Sequence, residues 1–248
     1  MWLIEVASGS LREFIEKPPP YAILSHRWGR SEDEVQFKDL IDGRRAVWSM
    51  PGYHKIRQTC KRAREHGLGY VWIDTCCIDK SSSAELSESI NSMFEYYRAA
   101  VVCFVYLNDP ALESLPNPPI RISSSEWFRR AWTLQELLAP IQIKFYSKDW
   151  TFLGPRDSPF IITEIHKATS IHQRYFLQQI SIESASIAER MSWAANRVAT
   201  RPEDVSYSLL GIFGINMPLL YGEGRLRAFQ RLQEVIIGNH DDYSVFAW

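Results

Sequence analysis

The run Val101-Val102-Cys103-Phe104-Val105-Tyr106-Leu107 constrains this chain more than any other stretch. Seven consecutive residues offer no polar face, and they fall far short of the ~20 that a membrane helix needs. A strand without alternation is one covered on both faces, as in parallel sheets flanked by helices. Asn108-Asp109-Pro110 ends it, because proline cannot donate to a central ladder. Parallel strands in turn require long crossovers between them, usually helical.

The flanking sequence supplies those crossovers. After Pro18-Pro19-Pro20, Tyr21-Ala22-Ile23-Leu24-Ser25 reads as a short buried strand that opens into the polar loop His26-Arg27-Trp28-Gly29-Arg30. Ile56, Cys60 and Ala63 recur at helical spacing up to Gly67, a C-cap glycine, and Tyr70-Val71-Trp72-Ile73-Asp74 follows as a strand. Ser82-Ser83-Ala84-Glu85 has capping-box spacing, after which Leu86, Ile90, Met93, Phe94 and Tyr97 trace one helical face. Past a proline-rich loop from Pro110 to Pro119, Ser123-Ser124-Ser125-Glu126 is a second such box. It opens a helix that ends before Pro140, and the strand Gln142-Ile143-Lys144-Phe145-Tyr146 comes next.

Four strands interleaved with three helices predict an α/β fold with a parallel sheet covered by helices on both faces. From about Ser158 helical patterns dominate, with Ser186-Ile187-Ala188-Glu189 opening one helix and Phe229, Leu232, Val235 and Ile236 lining another. The expected division is therefore an α/β domain over 1–157 and a mainly helical region over 158–248 packed on it. Tyr243 to Trp248 is strand-like, and a parent chain continuing beyond Trp248 is expected.

At 248 residues, with 46% hydrophobic and 23% charged residues, the chain has ample material for a packed core. Its 28 basic and 29 acidic side chains leave a net charge of -1, which disfavours nucleic acid as a partner. No apolar run is long enough to span a membrane, and Met1 to Ser10 lacks the pattern of a secretory leader. Cys60, Cys76, Cys77 and Cys103 sit in apolar surroundings without CxxC or histidine spacing. They read as buried small hydrophobes, which predicts no metal site and a reducing, cytoplasmic setting.

In an open parallel sheet ligands bind beyond the carboxyl ends of the strands, which here directs attention to His26, Arg27, Trp28, Asp79, Lys80, Asn108 and Asp109. Neither GxxxxGK[ST] nor GxGxxG follows a strand, and GxSxG and HExxH are missing, so P-loop, Rossmann, hydrolase-elbow and zinc-protease chemistries fall away. Trp28 and Arg27 read equally as a cap on the sheet or as an aromatic and cationic platform for a planar, phosphorylated ligand. His26 as a general base ranks below Glu136. In a helix from Trp127 to Leu138, Trp127, Ala131, Leu134 and Leu138 form the core stripe, and Arg129, Trp132, Thr133 and Glu136 fall opposite. Most helical glutamates are solvated. Trp132 one turn before Glu136 argues instead for a cleft wall, where a carboxylate acquires a raised pKa or meets a cationic ligand.

Three ordered blocks, Tyr21 to Gly29, Tyr70 to Lys80 and Trp127 to Leu137, resemble the fungal HET (heterokaryon incompatibility) domain family. Glu189 to Ala194 and Met217 to Gly224 resemble a block that often follows that domain. HET domains are similar to TIR domains, so the resemblance implies a flavodoxin-like fold. It also makes Trp132-x-x-x-Glu136 the counterpart of the WxxxE helix that carries the catalytic glutamate of NAD+ cleavage. On that basis Glu136 is the expected catalytic residue, with Ser25, His26, Arg27, Trp28, Asp79, Asn108 and Trp132 binding substrate. NAD+ is then a substrate rather than a cofactor, the chain assembles into a homo-oligomer when active, and the role is regulated cell death in non-self recognition. The alternative implied by inactive TIR relatives is a non-catalytic module for homotypic interaction.

Overall fold

The computed structural model describes residues 1–43, 45–109 and 121–247. The proline-rich loop and Trp248 therefore lie outside the described residues. One seven-stranded sheet organises the molecule, built from β1 (Trp2–Glu5), β2 (Leu11–Glu13), β3 (Tyr21–His26), β4 (Tyr70–Trp72), β5 (Val102–Tyr106), β6 (Ile143–Tyr146) and β7 (Phe152–Pro155) in the order β2-β1-β4-β3-β5-β6-β7. The four predicted strands form the parallel centre, β4-β3-β5-β6. All residues of β3 and β5 are buried, which is why those strands read as unbroken apolar runs.

Three further strands were not foreseen; all pair antiparallel, β2 and β7 at the two edges of the sheet and β1 between β2 and β4. β1 and β2 form a hairpin of four and three residues through a turn containing Gly9 at φ 73, too short to show a period. β7 contains Gly154 at φ 146, opposite an irregularity in register at Phe145 and Tyr146, and ends on Pro155, a residue confined to edge strands.

The helices are α1 (Phe37–Ile41), α2 (Tyr53–Glu65), α3 (Ser83–Asn91), α4 (Met93–Ala99), α5 (Thr133–Leu138), α6 (Pro159–Thr169), α7 (Gln173–Phe176), α8 (Ile187–Ser192), α9 (Asp204–Tyr207), α10 (Leu210–Phe213) and α11 (Arg225–Asn239). α2 buries Ile56, Thr59, Cys60 and Ala63 and stops at Gly67, whose φ of 70 suits a residue without Cβ. Ser82 caps α3 by accepting from the Glu85 backbone, and the stripe read as one helix bends at Ser92 into α3 and α4. Tyr243 to Phe246 form a 3-10 turn rather than a strand. There Asp242 and Ser244 accept the first backbone amides of α8, at 2.7 and 3.1 Å.

The segment read as one helix from Trp127 is also broken. Glu126–Arg129 is a 3-10 turn, Arg130 is extended (φ -74, ψ 140), and only Thr133–Leu138 is α-helical. The cause lies 60-odd residues downstream in the chain: Val198 donates to Arg129 O at 2.7 Å and accepts from Ala131 N at 2.8 Å. That pairing consumes backbone groups a continuous helix would have used. Residues beyond 158 share one apolar core with the sheet, including Ile161, Phe176, Ile187, Tyr207, Phe213 and Leu232.

α10 presses directly on α4 and α5. A Cβ built on Gly211 would stand 2.6 Å from Gln135 Oε1 and would collide with Phe94. Overpacking of this kind costs ~1–3 kcal/mol. Gly211→Ala is expected to lower the urea midpoint by the equivalent of ~2 kcal/mol, and an unchanged midpoint would show that α10 has room to retreat.

Candidate functional site

The site forms where the carboxyl ends of β3 and β4 meet α5, at the point where the parallel order reverses between β3 and β5. Leu24 to His26 close the central strand and outrun β4, whose pairing stops at Ile23, so Ser25 and His26 are held by the β5 ladder alone, opposite Val105 and Tyr106. Ser25 donates its hydroxyl hydrogen to Glu136 Oε2, and Trp127 Nε1 donates to Ser25 Oγ at 2.8 Å. Tyr97 Oη donates to Leu24 O at 3.0 Å and lies against the same carboxyl.

Glu136 is therefore not on an open helix face: every residue of α5 is buried, and Glu136 is only 6% exposed. The broken helix explains the difference, because a stripe extrapolated from Trp127 loses phase at Arg130. Burial pushes the Glu136 carboxyl up to about 7, with the negative charge of Asp74 adding to it, while Ser25, Arg130 and Tyr97 act in the opposite direction. Trp132, half-buried at the start of α5, turns its indole to Asp204 rather than to Glu136.

A second chain of polar contacts runs outward from β3. Lys55 Nζ reaches His26 Nδ1 at 2.9 Å, and His26 Nε2 reaches Asp74 Oδ1 at 2.9 Å. An ammonium can only donate and a carboxylate only accepts, so the imidazole is neutral and carries its hydrogen on Nε2. Burial and the Lys55 charge lower the His26 pKa in agreement with that tautomer. Asp74 also accepts from Trp28 Nε1 at 2.7 Å. Burial alone would raise the Asp74 carboxyl, but its bond to His26 and the neighbouring Lys80 and Arg130 charges hold it well below the usual carboxylate range. Lys55 is itself paired with Glu34, which accepts from Gly29 N at 2.6 Å and so fixes the loop after β3.

The outer surface of this network is aromatic and cationic. Trp28 is 40% exposed, Lys80 Nζ stands 4.1 Å from its ring centroid, and the Arg130 guanidinium stands 5.6 Å from it. Arg130 also donates to His26 O at 3.0 Å. Of the predicted residues, Ser25, His26, Trp28 and Glu136 come together, and Arg27 is exposed on the adjoining loop. Asp79 folds back on Ser81, accepting from its N and Oγ at 2.9 and 2.6 Å. Asn108 lies half-buried past the end of β5, and the neighbouring Asp109 caps the 3-10 turn by accepting from Ser125 and Glu126.

Asp74, Lys55, Tyr97, Trp127, Arg130 and Arg197 were not singled out. Asp74 carried a usable signal, an acid at the carboxyl end of a strand. Arg197 carried none: it reaches the site through Nη1 bonds to Arg130 O at 3.0 Å and Thr133 Oγ1 at 2.9 Å. Among the described residues no group of three or more His, Cys, Asp or Glu could hold a metal ion, and no helix is long and apolar enough to cross a membrane. All four cysteines are free and buried.

A carboxyl with a higher pKa folded than unfolded binds its proton more tightly in the native state. Glu136 thus costs stability as pH rises from about 4.5 through 7. Glu136→Gln, which keeps an acceptor for Ser25, is expected to exceed the parent in stability at pH 8 by up to ~3 kcal/mol and to match it at pH 4. Urea unfolding at the two pH values measures this, and equal differences at both would mean that the carboxyl titrates normally.

Residues 21–119 match a family model described as heterokaryon incompatibility protein (HET). That range holds Ser25, His26, Trp28, Asp74 and Lys80 and stops before Trp127, Arg130 and Glu136. The chain is similar to vegetative incompatibility protein HET-E-1 of Podospora anserina, with 46% identity over 225 residues. The aligned part is 89% of this chain and 16% of that protein, so the chain spans a small fraction of its relative. No solved structure matches.

Proposed function

The chain belongs to the HET (heterokaryon incompatibility) family, and from that premise we propose that it is the effector domain of a non-self recognition response, killing the cell by hydrolysing NAD+ at the nicotinamide–ribose bond. The observation that carries the reading is the placement of Glu136, a buried carboxyl with a pKa near 7, bonded to Ser25 at the carboxyl end of the central strand. The parallel strands follow the order 2-1-3-4, with which flavodoxin-like sheets begin, and such sheets bind their ligands at this reversal point.

In NAD+ the nicotinamide already leaves as a neutral group from a cationic ring, so the reaction needs no acid at the leaving group. What it needs is a carboxylate beside the ribosyl cation that develops as the C–N bond lengthens. Ionised Glu136 fills that role once the loop that follows His26 and carries Trp28 moves aside to admit the ribose. Water then adds to the cation and loses its proton, giving ADP-ribose, nicotinamide and H+. Trp28 offers a face for a planar ring, and Lys80 and Arg130 lie where a diphosphate would meet positive charge. The movement that uncovers Glu136 is assigned to assembly of several copies of the domain.

The burial of Glu136 favours a second reading, in which the Ser25–Glu136 tie is architectural and the domain signals by homotypic contact without chemistry. Concentrated protein incubated with NAD+ separates the two. The first reading expects nicotinamide release that Glu136→Ala lowers at least ~100-fold, the order seen when a group stabilising transition-state charge is removed. Release that persists in Glu136→Ala removes that residue's role. Cell death that survives Glu136→Gln supports the interaction module.

Because the ionised form is the active one, the rate is expected to rise with pH through about 7. Ser25→Ala deletes a bond that favours the charged carboxyl, so its pH profile should move to higher pH. A profile that stays in place would show that Ser25 does not act through Glu136.

A further inference from the structure

Between α8, α9 and the first turn of α11 runs a half-open groove with two adjoining compartments, which share Val205 and Arg225. The inner one, about 310 Å³, is apolar, with Met191, Leu209 and Phe229 in its wall. The outer one, about 200 Å³, is lined by Arg197 and Arg225 together with Thr200. Small-molecule sites have this character, mostly apolar with a few convergent polar groups, and occupy several hundred Å³.

Two atoms in its walls stand out. Arg197 is 5% exposed and Ser206 is fully buried, yet Arg197 Nη2 and Ser206 Oγ have no hydrogen-bond partner in the protein. Buried polar groups are almost always satisfied, so two orphans along one groove need a reason. The remaining Arg197 donors go to uncharged acceptors, Nε to Trp193 O at 3.1 Å and Nη1 to Arg130 O and Thr133 Oγ1. Among the described residues neither Arg197 nor Arg225 forms an ion pair with a carboxylate, and the one carboxylate whose charge acts on Arg197 through space is the buried Glu136. The 15-residue α11 begins here with no acidic residue in its first turn, while the Glu203 carboxylate accepts from Gly222 N and Gly224 N at 2.9 and 3.0 Å just before it.

We propose that this groove binds an amphipathic anion, with a phosphate or carboxylate head between Arg197 and Arg225 and an alkyl body over Met191, Leu209 and Phe229. The head takes Arg197 Nη2, the atom left free, and leaves the Nη1 bonds to Arg130 and Thr133 in place. Ligand binding thus completes the coordination of the guanidinium that braces the start of α5, the helix of Glu136. The inference rests on the groove and holds whether or not the domain cleaves NAD+.

Calorimetry with decyl phosphate below its micellar concentration tests it. One-site saturable binding is expected, at least tenfold tighter than that of decanol or inorganic phosphate, since each supplies only half of the match. Arg225→Ala, at an exposed position, and Ala195→Trp, which fills the groove, should each weaken binding about fivefold or more with thermal midpoint unchanged. Absence of saturable binding overturns the proposal, as does decanol binding equally well or both variants binding like the parent. Pelleting with phosphatidic acid vesicles without binding of decyl phosphate also overturns it, because that pattern describes a surface contact.

Discussion

The bond from Ser25 to Glu136 joins the central strand to the helix that closes over it, and much of the molecule is arranged around it. A carboxyl that is 6% exposed cannot stay there without donors, and β3 delivers one from a position fixed by its pairing with β5. Trp127 then holds the Ser25 oxygen, Tyr97 closes the remaining side, and Arg197 braces the start of α5 through the Thr133 hydroxyl. Each of these residues lies on a different element. The site exists only when β3, α4, the 3-10 turn, α5 and the residues after α8 are assembled together.

Two networks with opposite electrostatic character meet at β3. Toward the interior, desolvation dominates and Glu136 is driven toward its neutral form. Toward solvent, hydrogen bonds and cations dominate and Asp74 stays ionised. Neighbouring carboxyls thus differ in charge state because their surroundings differ, a separation that supplies one group able to switch near neutrality and one that does not. His26 divides them: its neutral tautomer, imposed by Lys55 on one nitrogen and Asp74 on the other, passes orientation between the layers without carrying charge.

The parallel half of the sheet was legible in the sequence because it is buried on both faces and so writes itself as apolar runs. β1, β2 and β7 were not, since strands of three or four residues leave no period to read. Ser82 and Ser186 were read correctly as helix caps because capping is local chemistry. The Trp127–Leu138 helix was misread because its break is made by Val198, and no local signal announces a partner that far along the chain. The same distance hid Arg197. His26 and Trp28 could be named from their place after a buried strand and Ser25 from the family resemblance, whereas Asp79 and Asn108 shared the place after a strand and yet turn to other contacts or none in the cluster.

Burial of Glu136 has two consequences that pull apart. Removing water is what raises its pKa to the range where a carboxyl can change charge under physiological conditions, and it strengthens any interaction with a developing cation. The same burial closes the site to a ribose. An arrangement serving both ends must open on one side only, keeping the apolar floor of Trp127, Leu134 and Tyr97 while releasing the roof. The roof fits that requirement: Trp28, Lys80 and Arg130 are held by stacking and by single bonds at the surface, whereas the floor belongs to the core. Arg130 is joined to both, through its guanidinium to His26 and Trp28, through its carbonyl to Arg197, and through its neighbours Arg129 and Ala131 to Val198. Under the proposed chemistry, motion of the segment after α8 would reach Arg130 first, and residues beyond the sheet would govern access to a carboxylate that they do not themselves touch by hydrogen bond.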